Sequence, residues 1–173
     1  MPLGTKTLLF GVHQALIHPF LVFISWLCLY RHLPTWRECI CIFIHDWGYW
    51  GMKSLKCSTG DTHPEYGAKL AEKWFGPQYR DFILGHSSFY VKRNGIQPSK
   101  LMAADKYWHC IVPLWFYKLL AVPTGEWKHY REMKHARQVA DISEPDIIWW
   151  LTLKKVCLEK VLGTYEIDTQ NLD

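Results

Sequence analysis

Apolar residues recur along most of this chain in runs and at helical spacing, and polar or helix-breaking residues separate one run from the next. Apolar positions three and four residues apart are typical of helices that pack against a core. No segment of the sequence shows a clear strand-type alternation, so the pattern predicts an all-α fold. The predicted helices span residues 19–30, 36–46, 65–75, 79–89, 99–113, 126–139 and 145–162.

Caps and helix breakers support several of these boundaries. Thr35 is a good N-cap for the second predicted helix, and Gly76 with Pro77 ends the third. Glycines at positions 48, 51 and 60 favour a loop over residues 49–62. We expect this loop to cover a site.

The length and composition of the chain predict one compact domain. At 173 residues it is long enough to bury a single core, and 49% hydrophobic content excludes disorder. We therefore expect residues 1–173 to form one helical bundle of about six to eight helices. With 16% aromatic residues, including ten Trp, some aromatic surface should line a pocket or an interface.

The charge and cysteine content narrow the function classes. A formal net charge of +4, spread along the chain, is compatible with a small anionic substrate but too weak to predict binding of duplex nucleic acid. The six cysteines show no Cys-x-x-Cys spacing, which favours free thiols. A cytoplasmic location is the simplest expectation.

Residues 8–30 approach a membrane span in length and apolarity. Polar groups at His13, Gln14 and His18, followed by Pro19, would cost a few kcal/mol (roughly) in the centre of a bilayer. A buried helix of an all-α core explains the same pattern. Association of this segment with a membrane remains an alternative.

The dipeptide His45-Asp46 is the clearest chemical feature, because it ends the apolar run 39–44. Two such groups buried without partners would cost several kcal/mol (roughly), and a metal ion explains them. Further imidazole and carboxylate groups that suit transition metals occur at His18, His63, His86 and Asp105. Six candidate ligands exceed what one ion usually takes, so the sequence predicts two divalent metals, drawn from Mn, Fe, Zn, Co and Ni.

Each candidate ligand also has a simpler interpretation. A single His in an apolar segment is more often a hydrogen-bonded core residue than a ligand, and Asp105 could pair with Lys106 or Arg93. The first ligand is ambiguous as well, since His13 lies five residues before His18. We favour His18, because Val22 and Trp26 follow it on one helical face.

The order His18, then His45-Asp46, then Asp105 resembles the signature of the HD superfamily of metal-dependent phosphohydrolases, which have an all-α fold. The resemblance covers roughly residues 13–110, which leaves residues 111–173 as a C-terminal helical extension. The segments His63-Pro-Glu-Tyr-Gly-Ala68 and Leu84-Gly-His86 are similar to the additional histidines of the binuclear branch. The resemblance implies one ion held by His18, His45, Asp46 and Asp105, and a second held by Asp46, His63 and His86.

Two departures from the family pattern bear on the substrate. The Gly-Lys that often follows His-Asp is replaced by Trp47-Gly48-Tyr49, and the Gly-Tyr-Pro of the HD-GYP phosphodiesterases is absent from the sequence. These departures argue against cleavage of cyclic di-GMP. The family resemblance therefore implies phosphoester hydrolysis without naming the ester.

Basic and aromatic groups near the candidate ligands are predicted to hold the substrate. Two metal ions activate a water for attack on phosphorus, and Asp46 would bridge them and orient that water. Cations at Lys92, Arg93 and Lys106 would neutralise charge on the phosphoryl oxygens, unless residues 89–95 are only a solvated turn. Rings that could stack on a base occur at Tyr49, Trp50 and Tyr90.

The sequence leaves three functions open. We expect a metal-dependent phosphohydrolase that acts on a nucleotide or another small phosphoester through water activated by two metals. An alternative within the same superfamily is a di-iron oxygenase, which would need iron rather than a redox-inert ion. A second alternative is a membrane-associated or scaffolding helical protein without enzymatic activity.

Overall fold

A computed structural model describes residues 1–53, 55, 60–136 and 138–170. In this part of the chain it is all-helical, with no strand, and the predicted all-α class is confirmed. The described residues form ten α-helices, more than the six to eight expected: α1 Leu3–Phe10, α2 Ile17–Tyr30, α3 Trp36–Ile44, α4 Pro64–Phe75, α5 Pro77–Leu84, α6 Ser88–Asn94, α7 Lys100–Ile111, α8 Leu114–Thr124, α9 Glu126–Ala136 and α10 Asp146–Gln170.

The apolar stretch 8–30 is divided between two helices. The first, α1, ends at Gly11, and α2 begins only at Ile17, where the side chain of Gln14 accepts a hydrogen bond from the Ile17 amide at 2.7 Å. The second helix stops at Arg31, which adopts the left-handed conformation with φ of 57°. Among the described residues, no helix is both long enough and apolar enough to cross a membrane.

The core is formed where α2 and α10 pack against α7. Five large aromatic side chains are fully or almost fully buried there: Trp26, Trp108, Tyr117, Trp149 and Trp150. Because each such ring removes a large apolar surface from water, this cluster is a major source of stability. The C-terminal helices thus share one core with the segment that carries the candidate ligands.

The position of the His-Asp dipeptide is set by the two ends of α3. At its start, Thr35 and Glu38 form a reciprocal capping box, with the Glu38 carboxylate accepting from the Thr35 amide at 2.7 Å. At its end, α4 crosses closely, since a Cβ on Gly67 would lie 2.4 Å from the carbonyl oxygen of Ile44. This close approach brings α4 against His45.

The predicted helix 79–89 is two helices in the structure. α5 ends at Gly85, whose amide donates to the Asp81 carbonyl at 2.7 Å, and α6 starts at Ser88. A Cβ at Gly85 would meet carbonyl oxygens of Asp81 and Gln97 at 2.9 Å, so the break needs a glycine. As a result, the expected basic turn around Arg93 is the last turn of α6.

The predicted loop 49–62 is irregular, with short 3₁₀ turns at Trp47–Tyr49 and Gly60–Thr62. Positions 54 and 56–59 of this loop lie outside the described residues. The last two helices have other bounds than expected, since α9 ends at Ala136 instead of 139 and α10 continues to Gln170 instead of 162.

Candidate metal centre

The six ligand candidates predicted from the sequence converge on one buried location. They come from separate parts of the fold: His18 from α2, His45 and Asp46 from the end of α3, His63 from just before α4, His86 from the break between α5 and α6, and Asp105 from α7. His63 is half-buried, and the other five are buried. Side chains far apart in the sequence therefore share one site.

One oxygen of Asp46 faces the first group of imidazoles. Its Oδ2 lies 3.2 Å from Nε2 of His18 and 3.4 Å from Nε2 of His45. The two imidazole nitrogens are 3.2 Å apart, and Oδ1 of Asp105 lies 3.2 Å from His18 and 3.8 Å from His45. These four side chains surround one small volume.

The other oxygen of Asp46 faces the second group. Its Oδ1 lies 3.3 Å from Nε2 of His63 and 3.7 Å from Nε2 of His86, and these two nitrogens are 3.2 Å apart. Ligand atoms about 2.0–2.2 Å from a common ion lie roughly 3–3.5 Å from one another. The separations within the two groups run from 3.2 to 3.8 Å, close to this spacing, so each group could hold a metal ion.

The imidazoles are oriented for coordination through Nε2. Nδ1 of His45 lies 2.6 Å from the Ile42 carbonyl oxygen, and Nδ1 of His86 lies 2.5 Å from the Ile83 carbonyl oxygen. A carbonyl only accepts, so each Nδ1 carries a proton, and each Nε2 is the ring nitrogen left to face a metal ion. The buried Oδ2 of Asp46 makes no hydrogen bond of good geometry, and a metal ion would satisfy it.

The carboxylates of the site favour positive charge among the imidazoles. Burial lowers the pKa of His45, but the charge of Asp46 and a hydrogen bond to Asp105 outweigh it and raise that pKa to about 10. Burial also acts to raise the pKa of Asp46, yet the charges of His45 and His13 hold it well below its ordinary range. A cation at this site would occupy the same favourable potential.

The pKa values of His86 and His18 shift in opposite directions. Burial lowers the pKa of His86, and the charge of His45 adds to this effect. For His18, burial also lowers the pKa, but hydrogen bonds to Asp105 and Asp46 raise it above the ordinary value. The neutral form that coordinates a metal is thus the favoured state of His86.

His13 lies beside the first group rather than within it. Its Nε2 is 4.0 Å from Oδ2 of Asp46, while its Nδ1 is 3.2 Å from both the Thr7 hydroxyl and the Tyr130 hydroxyl. His18, by contrast, lies 3.2 Å from both carboxylates. This geometry favours His18 as the first ligand.

Glu126, at the start of α9, fixes the segment that carries His13. Its buried carboxylate accepts hydrogen bonds from the Thr7 hydroxyl, from the Val12 amide at 2.9 Å and from the Thr124 hydroxyl at 2.7 Å. It also lies 3.6 Å from Nδ1 of His13. A carboxylate at the start of the second-last helix thus positions a loop near the beginning of the chain.

The metal centre opens into a cavity of about 560 Å³. One wall carries the ligands Asp46, His63, His86 and Asp105. The rest of the lining is aromatic, aliphatic, polar and charged, and it includes the acidic Asp61 as well as several lysines. Its basic residues are Lys92, Lys106, Lys134 and Lys160.

The predicted substrate residues lie in different places. Lys92 and Lys106 line the cavity, and the ammonium of Lys106 contacts Oδ2 of Asp105, so Asp105 has the ion pair that was its alternative role as well as a place in the ligand group. Arg93 is exposed, and its guanidinium lies 5.4 Å from the centre of the Phe89 ring. It is not among the residues that line the cavity.

The three predicted stacking rings also separate. Tyr49 lines the cavity and stacks on His63, with ring centres 4.4 Å apart and planes 3° apart. Trp50 is 64% exposed and lines a different cavity, of about 630 Å³, together with Leu8 and Phe43. Tyr90 is buried, and its hydroxyl donates to Glu65.

Sequence analysis missed several residues of the site. Lys134 looked like part of a solvated helical face, and nothing in the sequence distinguished Lys160, Tyr130 or Glu126. Glu126 follows a Thr-Gly pair at a helix start, a signal for a cap but not for a buried carboxylate. Only the packing of α9 and α10 brings Tyr130, Lys134 and Lys160 to the cavity and Glu126 to the segment that carries His13.

Comparisons with protein families, curated proteins and solved structures found no match to this chain. The helical fold and the His/Asp cluster are compatible with an HD domain. The argument for function therefore depends on the site.

Proposed function

We propose that this protein is a metal-dependent phosphohydrolase of the HD type, acting on a small phosphoester through two metal ions. The observation that carries the proposal is the orientation of Asp46, whose Oδ2 faces His18 and His45 and whose Oδ1 faces His63 and His86. A carboxylate shared in this manner suits two ions side by side. Two adjacent ions are typical of phosphatases and nucleases.

The residues present fit divalent metals well. Four imidazole nitrogens and two carboxylates suit Mn, Fe, Co, Ni or Zn, and the buried carboxylates need positive charge around them. When bound, the ions would supply an acidified water and a Lewis acid for a phosphoryl oxygen. Asp46 would be shared by both ions, and Asp105 would complete the first ligand group.

The cavity supplies the remaining requirements for phosphoryl transfer. Phosphoryl transfer depends mainly on positioning and on neutralising charge at the phosphoryl oxygens. Lys106 is held beside the ligand group by Asp105, so its ammonium is placed to meet an anion at the metals. The buried aromatic wall would restrict access of bulk water to the bound ester.

The order of the ligands along the chain supports assignment to the HD superfamily. The resemblance assigns His18, His45, Asp46 and Asp105 to one ion and adds His63 and His86 for a second. The structure brings side chains separated by up to 87 positions, between residues 18 and 105, into two groups of suitable spacing. Agreement between motif order and independent packing favours metal binding over a set of ordinary core histidines.

A test of the proposal combines metal analysis with an activity panel. Natively purified protein should contain up to two transition-metal ions per chain and should hydrolyse at least one of a panel of nucleotides and simple phosphoesters with manganese or zinc. Asp46→Ala should abolish both properties, and His32→Ala, at an exposed histidine outside the site, should preserve both.

Two results would contradict the proposal. Protein that binds none of manganese, iron, zinc, cobalt and nickel even after dialysis would exclude the proposed metal centre. Turnover that requires iron and dioxygen, with no hydrolysis by the zinc form, would instead assign the site to a di-iron oxygenase.

A further inference from the structure

Four lysines from four helices line the cavity beside the metal centre. They are Lys92 on α6, Lys106 on α7, Lys134 on α9 and Lys160 on α10. Phosphoryl transfer at the metals needs charge neutralisation close to the reacting phosphate, and Lys106 already lies there. Lys134 on α9 and Lys160 on α10 are not needed to neutralise that phosphate.

The lysines are close enough to influence one another. Lys160 is an exposed residue whose Nζ donates to the Ser88 hydroxyl at 3.3 Å. Partial desolvation of this ammonium lowers its pKa to about 8, and the charges of Lys106, Lys134 and Lys92 add to the effect. The pKa of His109 is well below its ordinary value, mainly because the ring is buried. The charges of Lys106 and Lys134 lower it further. Assembling several ammonium groups at one cavity is unfavourable, and a bound polyanion would reverse that cost.

The rest of the cavity wall is suited to a carbon skeleton. Around the lysines the lining includes the aromatic rings of Tyr117 and Trp149 and the aliphatic side chains of Leu153 and Val156. An anion with no organic part would leave this apolar surface uncovered. A compact organic anion would contact both kinds of surface.

We propose that Lys134 and Lys160, together with Lys92, form a second anion-binding subsite, which selects substrates carrying another phosphate besides the one that Lys106 meets at the metals. This inference rests on the proposed function for the role of the metals and goes beyond it in naming the substrate class: compact organic bisphosphates rather than monophosphates. A phosphate accepts several charge-assisted hydrogen bonds at once, which matches several ammonium groups better than a carboxylate does.

The subsite is tested by a pair of non-hydrolysable probes that differ in one anionic group. Propane-1,3-diphosphonate and propylphosphonate are each titrated calorimetrically into the zinc-loaded protein. The wild type should bind the diphosphonate at least about tenfold more tightly, the effect of one or more charge-assisted hydrogen bonds. Lys134→Gln and Lys160→Gln should each reduce this preference severalfold and leave propylphosphonate binding nearly unchanged.

Matched controls exist on the same two helices. Lys128 on α9 has a side chain that is 85% exposed, and Lys155 on α10 is exposed; neither lines the cavity. Lys128→Gln and Lys155→Gln remove the same charge from the protein and should retain the preference. A uniform decrease across all four variants would indicate a general effect of net charge and would overturn the proposal.

The wild type alone gives an independent test if a lysine variant does not fold. The preference for the diphosphonate should shrink as sodium chloride is raised from about 0.05 to 0.5 M, because salt screens the additional ionic contacts. A preference that is absent, or indifferent to salt, would overturn the subsite.

Failure of the subsite and failure of the proposed function are distinguishable. Lysine-dependent binding of the diphosphonate by a protein that hydrolyses no phosphoester would support the subsite and contradict the hydrolase. Hydrolysis of monophosphates and bisphosphates with equal KM, together with equal binding of the two probes, would support the hydrolase and contradict the subsite.

Discussion

Gly48 lies so close to the backbone of His63 that a Cβ at position 48 would be 2.0 Å from the His63 carbonyl oxygen. Gly48, two positions after Asp46, therefore determines where His63 and the second ligand group lie. A glycine is required here because of the close approach, and its backbone torsions are not unusual.

Gly48→Ala should therefore displace His63 and weaken the second metal site selectively. We expect loss of about one metal equivalent, measured by elemental analysis after dialysis, while the ion held by His18 and His45 is retained. Gly163→Ala is a suitable control, since a Cβ there meets no atom within 4 Å. Two tightly bound equivalents in Gly48→Ala would show that His63 is not a ligand.

Replacement of single ligands should separate the two sites. His63→Ala and His86→Ala should each lose about one equivalent of metal, and His18→Ala should lose the other. Asp46→Ala should lose both, because its two oxygens face the two groups. Full metal content and activity in both His63→Ala and His86→Ala would reduce the centre to one ion.

The same series resolves the ambiguity of the first ligand. His13→Ala should retain both metal equivalents, since its Nε2 is 4.0 Å from Asp46 and its Nδ1 contacts Thr7 and Tyr130. Loss of an ion in His13→Ala, with retention in His18→Ala, would reverse the assignment.

Lys92 and Arg93 are neighbours on α6, but only Lys92 lines the cavity. If Lys92 meets a phosphate, Lys92→Gln should lower kcat/KM by about ten- to a hundredfold, as expected for loss of one charge-assisted contact of about 1.5–3 kcal/mol. Arg93→Gln should change it by less than about threefold, because Arg93 lies against Phe89 at an exposed position. An equal decrease in both variants would indicate that α6 moves as substrate binds.

Glu126 gives a prediction about stability and pH. Burial alone would raise its pKa, but the interactions with His13 and Thr7 outweigh burial and bring the pKa below the ordinary 4.5. Because folding lowers this pKa, the carboxylate stabilises the fold fully above pH 4.5, and the stabilisation disappears as the pH falls through the lower folded-state value. Glu126→Gln should cost about 1.5–3 kcal/mol at pH 7.

Urea unfolding of both metal-free proteins across the pH range measures this difference. The free energy of unfolding of the wild type should fall toward that of Glu126→Gln as the pH is lowered from 4.5 through the lower folded-state pKa. A difference that persists unchanged in acid would show that shape, rather than charge, makes this position important.

The fold class and the candidate His/Asp cluster were accessible from the sequence because they depend on local pattern. Apolar residues at helical spacing predict helices directly. The polar pair His45-Asp46 stands out because it follows the apolar run 39–44. The break at Gly85 was not accessible, because the carbonyl of Gln97 that excludes a Cβ there comes from a distant turn. One predicted helix, 79–89, is therefore two shorter helices in the structure.

The basic wall of the cavity was inaccessible for a different reason. Lys134 and Lys160 occur in charged helical segments, and the local sequence pattern there is equally typical of a solvent-exposed helix face. Only the positions of α9 and α10 around the core decide which of their lysines meet the cavity. Glu126 was hidden in the same manner, since its partners Thr7 and Val12 lie more than 110 positions away.

The metal ligands end at Asp105, whereas Lys134 and Lys160 belong to the last two helices. On the proposed assignment, all the residues that would hold the metals precede the two subsite lysines that α9 and α10 contribute. Substitutions confined to the last 40 residues, 134–173, would change which anions are accepted while the chemistry at the metals is preserved. Homologues that share the His-Asp pattern but differ in these two helices should then act on different molecules.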